Sequence, residues 1–140
     1  MTASEKKNII MLIKVIKDSH EHIKMGTANR VWSTYFRYAL NELEKGSKYR
    51  STSLIKNEDQ KSICEHTVPF KILRDKLLGI KDPTPDSVCE VLNKFHVVSI
   101  ISADEDQRLK DMGLNSKMPK DWDGKNPFAR YEVAGISVEI

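Results

Sequence analysis

The sequence predicts an α+β fold: two N-terminal amphipathic helices packed on a small sheet with three short helices, in one domain over residues 1–140. Three observations carry this. Residues 1–46 read as helix only, with apolar positions at helical spacing. Residues 47–140 alternate short β-branched runs with capped helical segments. Hydrophobic residues are 39% and charged ones 31% of 140, an ordinary globular balance that excludes a disordered chain and is long enough for a real core.

The first helix is expected over residues 4–25. Thr2 and Glu5 form a capping box, Gly26 is a natural stop, and Ile9, Leu12, Ile13, Ile16, His20 and Ile23 recur at helical spacing. Lys14, Lys17, Glu21 and Lys24 occupy the other face. A second helix is expected from about Ala28 to Lys45, ended by Gly46. Trp32, Tyr35, Phe36, Ala39 and Leu43 face one way on it, and Arg30, Arg37 and Asn41 the other. Trp32, Phe36, Ile9, Ile13 and Ile16 are expected in the core.

Residues 46–61 are polar and read as a partly mobile connection. A short strand-like run, Ser62-Ile63-Cys64, leads into Glu65-His66-Thr67-Val68-Pro69. Pro69 then opens a short helix through Phe70, Leu73 and Leu77 that stops at Gly79. Thr84-Pro85 supplies an N-cap and first-turn proline for a helix carrying Val88, Val91, Leu92 and Phe95. His96 to Ile101 is the clearest strand, and Ser102-x-x-Glu105 starts a helix directly from it, ending near Gly113. Asn115 to Asn126 is rich in turn formers, and a short strand is expected within Arg130 to Ile140.

Charge is uneven. Residues 1–50 hold ten Lys/Arg against five Asp/Glu, and residues 51–140 hold thirteen against fifteen. A basic front half beside an acidic back half suits a phosphate-contacting surface next to a carboxylate-rich site; a solvated Lys-rich helix face explains it equally well. Two cysteines exclude a disulfide scaffold. No apolar run reaches the roughly 20 residues that span a bilayer, and Lys14 breaks the Ile9–Ile16 run that a signal peptide would need. A cytoplasmic protein with reduced thiols is the expectation.

The order strand, Glu65-His66, strand, helix over residues 62–112 resembles the HNH or ββα-metal nucleases. The resemblance implies an endonuclease or phosphodiesterase acting on nucleic acid. It makes Glu65 with Asp104 or Asp106 the ligands of one Mg²⁺ or Mn²⁺, and His66 and His96 the catalytic histidines, with His66 as general base. The chain departs from that family in lacking a helix histidine and Cys-x-x-Cys pairs, and in placing two helical segments between the strands. The chemistry is coherent on its own terms. A divalent ion relieves charge on the transition state and the leaving oxygen, oxygen ligands suit Mg²⁺ or Mn²⁺, and imidazole activates water near neutral pH. The bland counterpart is equally concrete: Asp104, Glu105 and Asp106 favour a helix N-terminus with no catalytic role.

A zinc site from Cys64, His66, Cys89 and His96 lacks metal-knuckle spacing, and His20 and His22, two apart on a helix, are not a metal pair. Lys14, Lys17, Lys24, Arg30, Arg37 and Arg130 are the candidate nucleic-acid contacts. Arg130, between Phe128 and Tyr131, serves either as a stiff phosphate fork or as a structural salt bridge to a nearby acid. The alternative function is a small non-catalytic binding or inhibitor protein that docks nucleic acid or a partner protein through its basic N-terminal helices.

Overall fold

A computed structural model describes residues 1–43 and 47–140. The described residues form seven helices and a four-stranded mixed sheet, an α+β fold. The chain divides into two compact units, one of residues Met1–Lys45 with Arg74–Leu92 and one of Gly46–Leu73 with Asn93–Ile140. The helical unit therefore draws on a second chain segment, where the sequence placed its boundary once, near residue 46.

In the first unit, α1 (Ala3–Lys24) begins at the Thr2/Glu5 capping box, both halves of which form. Its buried stripe is Ile9, Leu12, Val15, Ile16 and Ser19. Ser19 is tolerated there because its hydroxyl donates to the Val15 carbonyl at 2.7 Å. The stripe is rotated slightly from the expected one, leaving Ile13 half-buried and Ile23 exposed. Helix α2 (Asn29–Asn41) packs on α1 through Trp32, Phe36, Ala39 and Leu40. The expected end of this helix at Lys45 and Gly46 lies outside the described residues. Tyr35 corrects the expected core face: it is 53% exposed, because Trp32, Phe36 and Leu40 define a seam that it flanks.

The second unit is built on a sheet of order β2-β3-β1-β4. Strand β1 (Tyr49–Ser51) and helix α3 (Thr52–Lys56) lie inside the segment expected to be a mobile connection. Ser51 is fully buried, and its hydroxyl accepts from the Leu54 amide to cap α3. β2 (Ser62–His66) runs two residues past the sequence-based strand. After α4 (Phe70–Leu78) and α5 (Pro85–Phe95), β3 (Val98–Ser102) pairs antiparallel with β2 and parallel with β1. Helix α6 (Ala103–Asp111) grows straight out of β3 on the Ser102/Glu105 capping box. Arg130 to Ile140, expected to hold only a short strand, forms helix α7 (Ala129–Ala134) and then β4 (Val138–Glu139), which pairs antiparallel with β1. Gly135 ends α7 at φ +71°, a left-handed conformation that favours glycine.

Residues paired in register share a face of a sheet. Tyr49, Ser51, Ile63, Glu65, Ser99, Ile101 and Val138 therefore line one face. That face meets the core formed by Ile101, Leu109, Leu114, Tyr131, Ala134 and Ile136, with Phe128 and Val138 against it. Among the described residues no helix is long and apolar enough to cross a membrane.

Candidate functional site

Period-two alternation decides the fate of the Glu65-His66 pair. Because β2 extends through His66, the two residues project from opposite faces of the sheet. Glu65 is level with Ser99 on the core-facing side, and His66 is level with Val98 on the other. Sequence adjacency here means spatial divergence, so His66 cannot act on a group held by Glu65.

Glu65 is held by α7. Arg130, fully buried at 0% exposure, sets its Nη2 at 2.8 and 2.9 Å from the two Glu65 carboxylate oxygens. The same guanidinium donates to the carbonyls of His66 (2.6 Å), Thr67 (2.8 Å) and Leu114 (2.8 Å). The Tyr131 hydroxyl donates to Glu65 Oε1 at 2.5 Å. Burial, and then the adjacent Glu65 charge, push the Tyr131 hydroxyl well above its ordinary pKa. A buried guanidinium is stable only when paired and hydrogen-bonded, and these three carbonyls with the Glu65 carboxylate do that. The arrangement fastens the end of β2 to α7 and to the loop at Leu114. Arg130 consequently presents no surface to a phosphate, which corrects its place among the nucleic-acid contacts.

The other expected ligands lie elsewhere. Ser62 pairs with Ser102, so Glu65 sits three residues, about 10 Å, back along β3 from the start of α6. Asp104 and Asp106 are in the first turn beyond that point. Asp106 pairs with Lys110 at 3.1 Å, and Glu105 completes the helix cap. Glu65 and Asp106, two of the residues expected to bind Mg²⁺ or Mn²⁺, are thus each paired with a basic side chain of the protein. Among the described residues no group of three or more His, Cys, Asp or Glu is arranged to hold a metal. Cys64 is exposed and Cys89 half-buried.

His66 and His96 do come together. Their rings lie 6.2 Å apart, centroid to centroid, and close to parallel at 22°. The two ring nitrogens of His96 are buried. This pair belongs to the face of the sheet that Glu65 does not share, alongside Cys64 and Arg50.

The basic residues of the first unit are placed as the charge pattern implies. Lys14, Lys17 and Lys24 are exposed on one arc of α1, Lys24 within 3.4 Å of Glu21. Arg30 and Arg37 are exposed on α2, two turns apart. Sequence reasoning missed the apolar side of that helix. Val31, Tyr35 and Tyr38 are 54%, 53% and 67% exposed. Their signal was available: at 100° per residue they fall outside the Trp32-Phe36-Ala39-Leu40 seam. Tyr131 as a partner of Glu65 had no local signal, because the two are 66 residues apart. No protein family, curated protein or solved structure matches this chain.

Proposed function

We propose that this chain is a non-catalytic binding protein that docks a macromolecular partner through the exposed faces of α1 and α2. The observation that carries the reading is the makeup of α2: its outer arc combines Arg30, Arg37, Val31, Tyr35 and Tyr38, and the helix contains no acidic residue. Arginine and tyrosine are the side chains that dominate binding energy at protein interfaces. Large apolar side chains exposed singly are ordinary, but three on one arc mark a contact surface. The lysines of α1 add long-range attraction for an acidic or phosphate-bearing surface and raise the rate of encounter.

The competing endonuclease reading needs Glu65 free to bind a metal and His66 beside it, and Glu65 is instead bound by Arg130 and Tyr131. The test is capture of binding partners by the full chain, with Arg30→Glu Arg37→Glu and Lys14→Glu Lys17→Glu as the comparison proteins. Binding that falls at least tenfold on charge reversal, with unchanged circular dichroism, is the expected result. Binding that is indifferent to both pairs would overturn the reading.

A further inference from the structure

We infer that the cleft between the end of α1 and the end of α4 binds a medium-chain aliphatic carboxylate, its tail on Ile23 and Leu78 and its head at Lys81. The cleft has a volume of about 470 Å³, within the range of small-ligand sites. It is lined by His20, Ile23, Lys24, Leu78 and Lys81, all of the first unit. None of the five comes from α2, so this site goes beyond the docking surface proposed above and stands independently of it. The walls are fixed before any ligand arrives. His20 Nε2 donates to the Leu78 carbonyl at 2.8 Å, which ties α1 to the last residue of α4. The Gly79 and Ile80 amides donate to the Asp75 and Leu77 carbonyls, and buried Pro83 anchors the short connection that carries Lys81.

The lining selects the ligand. Ile23 is 48% exposed, in a helix whose buried stripe stops at Ser19, so the protein's own core leaves it uncovered. A saturated chain lying on Ile23 and Leu78 removes apolar surface from water on both sides. The lining holds no Phe, Tyr or Trp on which a nucleotide base would stack, and no acid to meet a cationic head. Of its two ammonium groups, Lys24 Nζ is 3.4 Å from Glu21 Oε1 and keeps that pair. Lys81, exposed at the rim, is the charge that meets the ligand's head. Helix C-termini ordinarily repel anions. Here the carbonyls of Glu21, His22, Ile23 and Leu77 accept from backbone amides and that of Leu78 from His20, so the carboxylate faces an ammonium rather than open carbonyls. Two aliphatic side chains and one solvated ammonium give weak binding, with Kd on the order of 1 mM.

The experiment titrates the 140-residue chain with sodium octanoate and follows its backbone amide and methyl resonances by NMR. Acetate carries the head without the tail, and octyltrimethylammonium carries the tail with the opposite head. Saturable shifts centred on Ile23, Leu78 and Lys81 are expected with octanoate, and at least tenfold weaker binding of acetate and of the cation. Lys81→Gln and Ile23→Ser should each weaken octanoate binding at least threefold. Lys24→Gln should change it less than twofold, because Lys24 is engaged with Glu21. All three side chains are exposed, and amide spectra unchanged away from the cleft confirm that the variants fold. Absence of a saturable shift at concentrations well above the expected Kd overturns the inference. Acetate binding as tight as octanoate reduces the site to a surface charge, and equal binding of the cation reduces it to bare apolar contact; either result overturns it. Octanoate binding unchanged in both Lys81→Gln and Ile23→Ser overturns it as well. None of these failures touches the docking surface on α2.

Discussion

Replacing Glu65 by alanine should cost this protein about 3 kcal/mol of stability. The substitution deletes both carboxylate contacts of Arg130 Nη2, at 2.8 and 2.9 Å, and the 2.5 Å acceptor of the Tyr131 hydroxyl. It leaves a fully buried guanidinium without its counter-charge, a change that costs roughly 3–5 kcal/mol when one member of a buried pair is removed. The lower end applies here for two reasons. The carbonyls of His66, Thr67 and Leu114 still accept from Arg130, and the Glu65 side chain is 13% exposed, so water reaches the vacated position. Against a total stability of about 5–15 kcal/mol, a loss of this size is large. It corresponds to a fall in melting temperature of roughly 10 °C for a chain of this length. Urea titration followed by circular dichroism measures it, with Arg130→Met and the double variant completing a cycle. The coupling energy should reach roughly 1–3 kcal/mol. A Glu65→Ala variant that loses less than about 1 kcal/mol, with no coupling to Arg130, would refute the structural assignment and return Glu65 to the list of free carboxylates.

Trp32, 4% exposed with the Arg74 guanidinium 5.1 Å over its ring, should cost roughly 3–5 kcal/mol when changed to alanine, measured by the same titration. Ser102→Ala removes the buried acceptor of the Glu105 amide and should cost about 1–2 kcal/mol, while Ser102→Thr, which keeps the hydroxyl, should recover most of it. Tyr131 gives a pH dependence. Its pKa is raised in the folded state, so the stabilisation is complete below the unfolded value of about 10 and is lost as pH climbs above it. Stability should fall by up to about 1.4 kcal/mol per pH unit beyond that point, and Tyr131→Phe, which cannot ionise, should remove this share of the slope.

What the sequence made legible were the elements whose local signals agree with their tertiary surroundings. Thr2/Glu5 and Ser102/Glu105 cap helices wherever they occur, and α1 and α6 start at those residues. Pro69 and Thr84-Pro85 placed α4 and α5 on similar grounds. The segment before Ser62 was illegible because it has no apolar alternation: β1 exists through pairing with Ser99 and Ile100 about fifty residues away and with Val138 and Glu139 near the C-terminus. Only Ser51, three residues before the buried Leu54, hinted at the α3 cap. The Glu65-His66 pair was misjudged on a point the sequence does contain. Reading the strand as ending at Cys64 left the two side chains free to converge, whereas a strand running through His66 must separate them. For Arg130 the sequence leaves two readings open, a fork for a phosphate or a structural bridge to an acid, and the structure contains the bridge. The anion is Glu65, and nothing local to residues 126–131 says so.

Cleavage activity tests the central claim most directly, namely that the end of β2 is a structural clasp and that binding lies in α1 and α2. The purified 140-residue chain is incubated with plasmid, single-stranded DNA and RNA in Mg²⁺ and separately in Mn²⁺, beside His66→Ala. No divalent-metal-dependent cleavage that distinguishes the two proteins is expected. Metal-dependent cleavage by the wild type that disappears in a folded His66→Ala variant would contradict it.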